Sequence, residues 1–132
     1  HIKFVSLMVN AGSLEKHEAV MTLEIDGIKK VATSAGNGPV DATFNAIKEI
    51  TKIQSRLKLY QVHAITAGTD AQGEVTVRLE DKDISSQAKG SDPDIIVASA
   101  KAYINALNRL VFKKSKSNPD KILEIKIKGV GV

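Results

Sequence analysis

Two stretches of this chain repeat one another at a fixed distance, and that repetition limits the fold more than any other feature. Asn37-Gly38-Pro39-Val40-Asp41 and Ser91-Asp92-Pro93-Asp94-Ile95 each follow a glycine, Gly36 or Gly90, and each leads into a helical pattern; the two prolines stand 54 positions apart. The same offset lays Met21-Thr22-Leu23-Glu24-Ile25 over Val75-Thr76-Val77-Arg78-Leu79 with the alternation in phase. Apolar residues at every second position mark a strand with one buried face. Met21, Leu23 and Ile25, and in the second copy Val75, Val77 and Leu79, are therefore expected to face a core. A period of this length in 132 residues leaves room for two copies of one supersecondary unit.

The first copy, about residues 2 to 54, reads as three strands and a helix. An alternating stretch from Ile2 to Asn10 turns near Gly12-Ser13, and a second strand runs through Ala19 to Ile25. Asp26-Gly27 between strand-like runs signals a tight hairpin. A third strand, Ile28 to Ala35, reaches the Gly36-Asn37-Gly38 turn and a helix from Pro39 to about Ile53. Proline suits the first helical position, where its fixed φ fits and its missing N–H is no loss. Val40, Phe44, Ile47 and Ile50 fall on one helical stripe.

The second copy, about residues 56 to 112, repeats the order. Strands are expected at Leu57 to Gly68, Gly73 to Glu80 and Ile84 to Ala88, then a helix from Pro93 to about Phe112 with Ile96, Ala100, Tyr103, Leu107 and Leu110 as its stripe. Asp81-Lys82-Asp83 replaces the Asp-Gly hairpin. Some fifty residues with one sheet face and one helix stripe bury too little surface to stand alone, so the halves should pack together as one α+β domain over residues 1 to 112. Residues 113 to 120 read as a polar linker, and Leu123, Ile125 and Ile127 beyond it alternate with charges, as in an added strand or a disordered end.

Charge follows the same division. The net charge is +4, yet residues 1 to 112 balance 13 basic against 13 acidic side chains; the surplus lies after residue 112, where six lysines face Asp120 and Glu124. A nucleic-acid reader needs its basic groups on the folded body, preferably beside aromatic platforms, and the five aromatic residues do not cluster with basic ones. The absence of cysteine removes disulfides, thiolate catalysis and cysteine metal sites, and a reducing cytoplasm is the expected compartment. No uninterrupted apolar run reaches bilayer-spanning length, and the opening HIKFVSLMVN lacks the features of a signal peptide. His1, His17 and His63 are scattered, and Asp70, Asp81, Asp83, Asp92 and Asp94 fall at turns and helix starts, where aspartate caps backbone donors. Nothing here composes an active site or a metal site.

What the residues do offer is Gly36-Asn37-Gly38-Pro39 at a helix start. Glycine lets a ligand approach the backbone, and the free N–H groups of a first helical turn favour an anion such as a carboxylate. A glycine turn with no ligand is the plain alternative.

Three blocks in register, Gly36-Asn37-Gly38-Pro39-Val40-Asp41-Ala42, Gly68-Thr69-Asp70-Ala71-Gln72-Gly73-Glu74-Val75, and Asp94 to Ala102 followed by Ala106-Leu107-Asn108, make roughly residues 2 to 112 resemble a known family. It is the C-terminal regulatory domain of 2-isopropylmalate synthase and its relative citramalate synthase. The resemblance implies two βββα repeats with helices on one side of antiparallel sheets, a homodimer, and an end-product amino acid bound at the domain interface for feedback inhibition. It further implies a regulatory fragment, not itself an enzyme, with no cofactor of its own. The catalytic barrel, holding a divalent metal and condensing acetyl-CoA with a 2-oxo acid, would precede it.

By the same resemblance the effector pocket would use Gly36, Asn37, Gly38 and Asp41, then Leu57, Tyr60 and Ala64, then Asp70 and Ala71. The three strand residues would line an apolar space for a branched side chain, and turn N–H groups would receive the carboxylate. Tyr60 and Ala64 share a strand face, whereas Leu57 joins them only if the strand is bulged or starts late. A small Ala64 leaves room for a γ-branched side chain, which favours leucine over isoleucine, although one methyl group decides little in such a pocket. The alternatives are an isoleucine-binding domain of citramalate synthase and a dimerisation module without ligand. The basic tail at 113 to 132 lies outside the pattern.

Overall fold

A computed structural model describes residues 1–11, 16–67 and 70–117. Three strands, β1 (Ile2–Ala11), β2 (His17–Ile25) and β3 (Ile28–Gly36), lead into α1 (Pro39–Thr51). Then β4 (Arg56–Ala67), β5 (Asp70–Asp81) and β6 (Ile84–Asp92) lead into α2 (Ile95–Ser117). The strands make two antiparallel sheets in the orders β1-β2-β3 and β4-β5-β6. This is the α+β tandem of βββα units that the repeat requires. The expected turn at Gly12-Ser13 and the segment around Leu123, Ile125 and Ile127 lie outside the described residues.

The core forms where the inward rows of both sheets meet the two helices. Met21, Leu23, Val75, Val77 and Leu79 are all fully buried, and Phe44, Ile47, Ile50, Tyr103, Leu107 and Leu110 close over them. The halves join through aromatic rings: Phe44 of α1 packs against Tyr103 of α2 with centroids 4.5 Å apart. Glycine permits the closest approach. A Cβ on Gly36 would come within 2.4 Å of the Ala42 nitrogen, and one on Gly90 within 2.4 Å of the Ala102 nitrogen. Each helix therefore rests directly on the end of its own third strand.

Those two contacts also show where the copies diverge. Gly36 and Gly90 are 54 positions apart, whereas their helical neighbours Ala42 and Ala102 are 60 apart. The same shift recurs in the pair Asn45 to the Ala35 carbonyl, 3.0 Å, and Asn105 to the Lys89 carbonyl, 2.9 Å. The single offset holds for the strands, and the second helix is seated six residues later. α2 begins at Ile95 rather than at Pro93 because Asp94 caps it, accepting from the Ile96 N–H at 2.8 Å and the Val97 N–H at 3.4 Å.

α2 is also longer at its other end. Residues 113 to 117, read as linker, continue the helix. Lys113 donates to the Ser85 carbonyl at 2.7 Å and Lys114 pairs with Asp81, so lysines that look like solvated tail are tied to the β5–β6 hairpin. By length and average composition α2 could cross a bilayer, but polar and charged residues interrupt it, and half of that window is buried inside the protein, as in a core helix.

Candidate functional site

The Gly36-Asn37-Gly38 turn connects β3 to α1 as expected. Gly38 is the N-cap, extended at φ −152°, with no side chain bonded to the donors behind it. A Cβ there would meet nothing within 4 Å, so the space in front of the helix start is open. Asp41 folds back from the first turn, and its carboxylate accepts the Asn37 N–H at 2.9 Å. One donor of the turn is thus already satisfied by the chain itself.

The corresponding start of α2 is closed. Besides the bonds to Asp94, the Asp92 carboxylate accepts the Asp94 N–H at 2.9 Å and the Lys101 ammonium at 2.9 Å. The Asp94 amide first and the Lys101 ammonium second hold the Asp92 carboxyl below the ordinary 3.8 of an aspartate. Carboxylates of the chain occupy this end, which leaves the first copy as the one with an open helix start.

β4 supplies the apolar part of the site. Its register with β5 shifts between Leu57 and Leu59, a bulge at Lys58. Leu57 consequently stands opposite Leu79, Tyr60 opposite Val77, Val62 opposite Val75 and Ala64 opposite Gly73. Directly paired residues project to one face, so the bulge brings Leu57 into the row with Tyr60 and Ala64. A regular strand would have excluded it. Ala71 extends the row of Gly73 and Val75 on β5, and the side chain of Asp70 lies outside the described residues.

That row is left largely uncovered. Leu57 is 43% and Val62 45% exposed, and Ala64 and Ala71 are exposed as well, although all lie on the face that elsewhere carries the core. α2 covers β5 and β6, and β4 is the edge strand beyond them. Tyr60 is the half-buried exception. Its ring meets Phe44 edge-on at 5.9 Å, and its hydroxyl lies 2.7 Å from Ser99 Oγ on α2.

Tyr60 therefore links the row to α1, the helix that the glycine turn begins. No hydrogen bond among the described residues joins Gly36, Asn37, Gly38 or Asp41 directly to β4. Val62 and Ser99 were missed by the sequence reading. Val62 is detectable by alternation, since it lies between Tyr60 and Ala64; Ser99 is not, because its partner is 39 positions away. Among the described residues no three histidine or carboxylate side chains converge as a metal set requires.

A tandem βββα domain with one open helix start and one uncovered apolar strand face defines the class: a small α+β module with surface to offer a ligand or partner. The chain belongs to the family described as the LeuA allosteric (dimerisation) domain, whose model matches residues 1–111. It is 53% identical over 115 residues to the 2-isopropylmalate synthase of a Bradyrhizobium species, an alignment covering 87% of this chain and 22% of that protein. The corresponding enzymes of Rhodopseudomonas palustris and Afipia carboxidovorans are 52% identical over 115 residues and 49% over 118. These alignments cover 87% and 89% of this chain, and 22% and 23% of the enzymes. The chain thus spans less than a quarter of these relatives, matching their C-terminal part.

Proposed function

We propose that this chain is the leucine-binding regulatory domain of a 2-isopropylmalate synthase, pairing with a second copy and carrying feedback inhibition to a catalytic barrel elsewhere in the parent protein. The family match and the relatives' name support the enzyme; the bulge in β4 is the observation that supports the pocket, because it puts Leu57, Tyr60 and Ala64 on one face. In this reading the uncovered row, with Ala71 beside it, takes the branched side chain. The free N–H groups at Gly38 and the first turn of α1 receive the carboxylate, and Asp41 turns from Asn37 toward the ammonium. Gly36 and Asn37 shape the approach, and Asp70 stands at the start of β5 beside the row. The second copy closes the site over β4, removing exposed apolar surface from water at about 25 cal/mol per Å².

The parent enzyme condenses acetyl-CoA with a 2-oxo acid on a divalent metal held by the barrel. The role of this domain is to bind, and inhibition then requires that leucine prefer one of two states of the whole protein. A second reading, dimerisation without a ligand, draws on the Asn37 to Asp41 bond, which fills part of the anion seat from within. Titration calorimetry with leucine, isoleucine and valine separates the readings. Leucine should give saturable heat and bind more tightly than the other two. Heat from none of them at millimolar ligand supports the second reading, and isoleucine as the tightest favours the citramalate synthase assignment.

A further inference from the structure

Tyr60 is held more firmly than a pocket-lining residue needs. Ser99 is fully buried on α2, and its hydroxyl donates to the Ile95 carbonyl one turn back at 2.7 Å. With that proton committed, Ser99 Oγ can only accept, so the 2.7 Å contact is a bond donated by Tyr60. The ring is fixed from its other side by the edge-on contact with Phe44. A reciprocal pair spans the same seam four residues further along α2: Tyr103 on the helix and Ser55 just before β4. Both of those hydroxyls are buried; Ser55 is near enough to act on the Tyr103 phenol, but the two do not reach full hydrogen-bond geometry. The seam between β4 and α2 thus carries two tyrosine–serine pairs, of which Tyr60–Ser99, at 2.7 Å, is the well-formed one.

We propose that Ser99 is a positioning residue of the effector site: by accepting the Tyr60 hydroxyl it fixes the ring that walls the pocket and ties it to α2. The inference rests on the leucine-binding reading above. It matters for regulation because α2 is also the element that grips both halves. Asn108 exchanges two bonds with the Ile2 backbone on β1, at 3.0 and 2.9 Å, and Asn105, Arg109 and Lys113 hold the β6 carbonyls of Lys89, Gln87 and Ser85. An effector that shifts Tyr60 therefore pulls on the helix that braces both sheets.

The test is leucine titration by calorimetry on the full chain and on Ser99→Ala, Tyr60→Phe, their double variant, Ser99→Thr and Ser55→Ala, with a thermal melt for each. Ser99→Ala and Tyr60→Phe should each weaken leucine binding about three- to tenfold, the range open to one neutral hydrogen bond, and the double variant should be no weaker than either. Ser99→Thr, which keeps the hydroxyl, should restore binding, and Ser55→Ala should leave it unchanged. Tyrosine absorbance in a Tyr103→Phe background, where Tyr60 is the remaining tyrosine, should respond to leucine and lose that response in Ser99→Ala. Wild-type affinity in Ser99→Ala, or additive losses in the double variant, overturns the positioning role while the leucine site stands. Absence of binding by the unsubstituted chain overturns the leucine reading itself, and the positioning role with it.

Discussion

At the start of α2 the first donors are taken by Asp92 and Asp94; at the start of α1 Gly38 offers no side chain, no side chain caps the helix, and a Cβ at Gly38 would meet open space. The helices differ again along their length. α2 sends Asn105, Arg109 and Lys113 across the outward carbonyls of its edge strand, whereas in α1 Asn45 alone does so, at Ala35. By the 60-residue helix offset Glu49 stands where Arg109 stands and cannot donate to a carbonyl, and α1 ends at Thr51, before it reaches the position of Lys113. One repeat unit acts as a brace with its helix start closed, and its twin keeps an open start. Such a division gives a small domain a fixed frame in one copy and, in the proposed reading, a place to bind at the other.

The largest effects that would break this comparison are steric. Gly90→Val puts a Cβ within 2.4 Å of the Ala102 nitrogen and 2.6 Å of the Ala98 carbonyl, and helix backbone cannot yield as a side-chain end can. The expected loss is more than about 3 kcal/mol, toward the severe end for single substitutions, read from urea unfolding. Gly36→Val should behave alike. Gly38→Val meets open space at an extended φ and should cost only about 1 kcal/mol, because valine is a poorer N-cap than glycine, while the proposed carboxylate seat is blocked. Equal destabilisation at Gly38 and Gly90 would contradict the division into open and closed ends.

Smaller effects sharpen it. Asp94→Ala removes the α2 cap and should cost about 1 kcal/mol. The Asp92 carboxyl is held below 3.8, so the stability it contributes is present above that pH and is lost as pH falls through the lowered value; Asp92→Asn should flatten this acid limb of a melting-temperature profile. Smallest is Glu49→Arg, which places in α1 the donor that α2 has at Arg109. A gain of about 0.5 kcal/mol in urea unfolding is expected, at the lower range of a hydrogen bond's net worth, and a loss would show that the missing donor does not explain the open β3 edge.

Much of this molecule could be read in advance because its strongest signals are local. Alternation fixed the inward residues of β2 and β5, and Gly-Pro punctuation located the start of α1. The reading went wrong where tertiary partners decide. Lys113 and Lys114 look like tail until Ser85 and Asp81 are seen beside them, and Pro93 looks like a helix start until Asp94 is seen to cap. The six-residue shift of α2 leaves no mark in a strand-based alignment, because it concerns where a helix rests rather than how it repeats. At the site, the glycine turn was legible in the residues themselves, the β4 residues were named through family resemblance, and the bulge that aligns Leu57 was anticipated only as a condition. Ser99 escaped because a buried serine on an alanine-rich helix carries no periodic signal of its role.

Crystals grown with leucine test the account most directly, since the two helix starts can be compared in one map. Leucine is expected beside Gly38 with its side chain against Tyr60 and Ala64, and the Asp92–Asp94 cap on α2 unaltered. Leucine bound at the α2 start instead, or at neither end when the ligand is saturating, would contradict it.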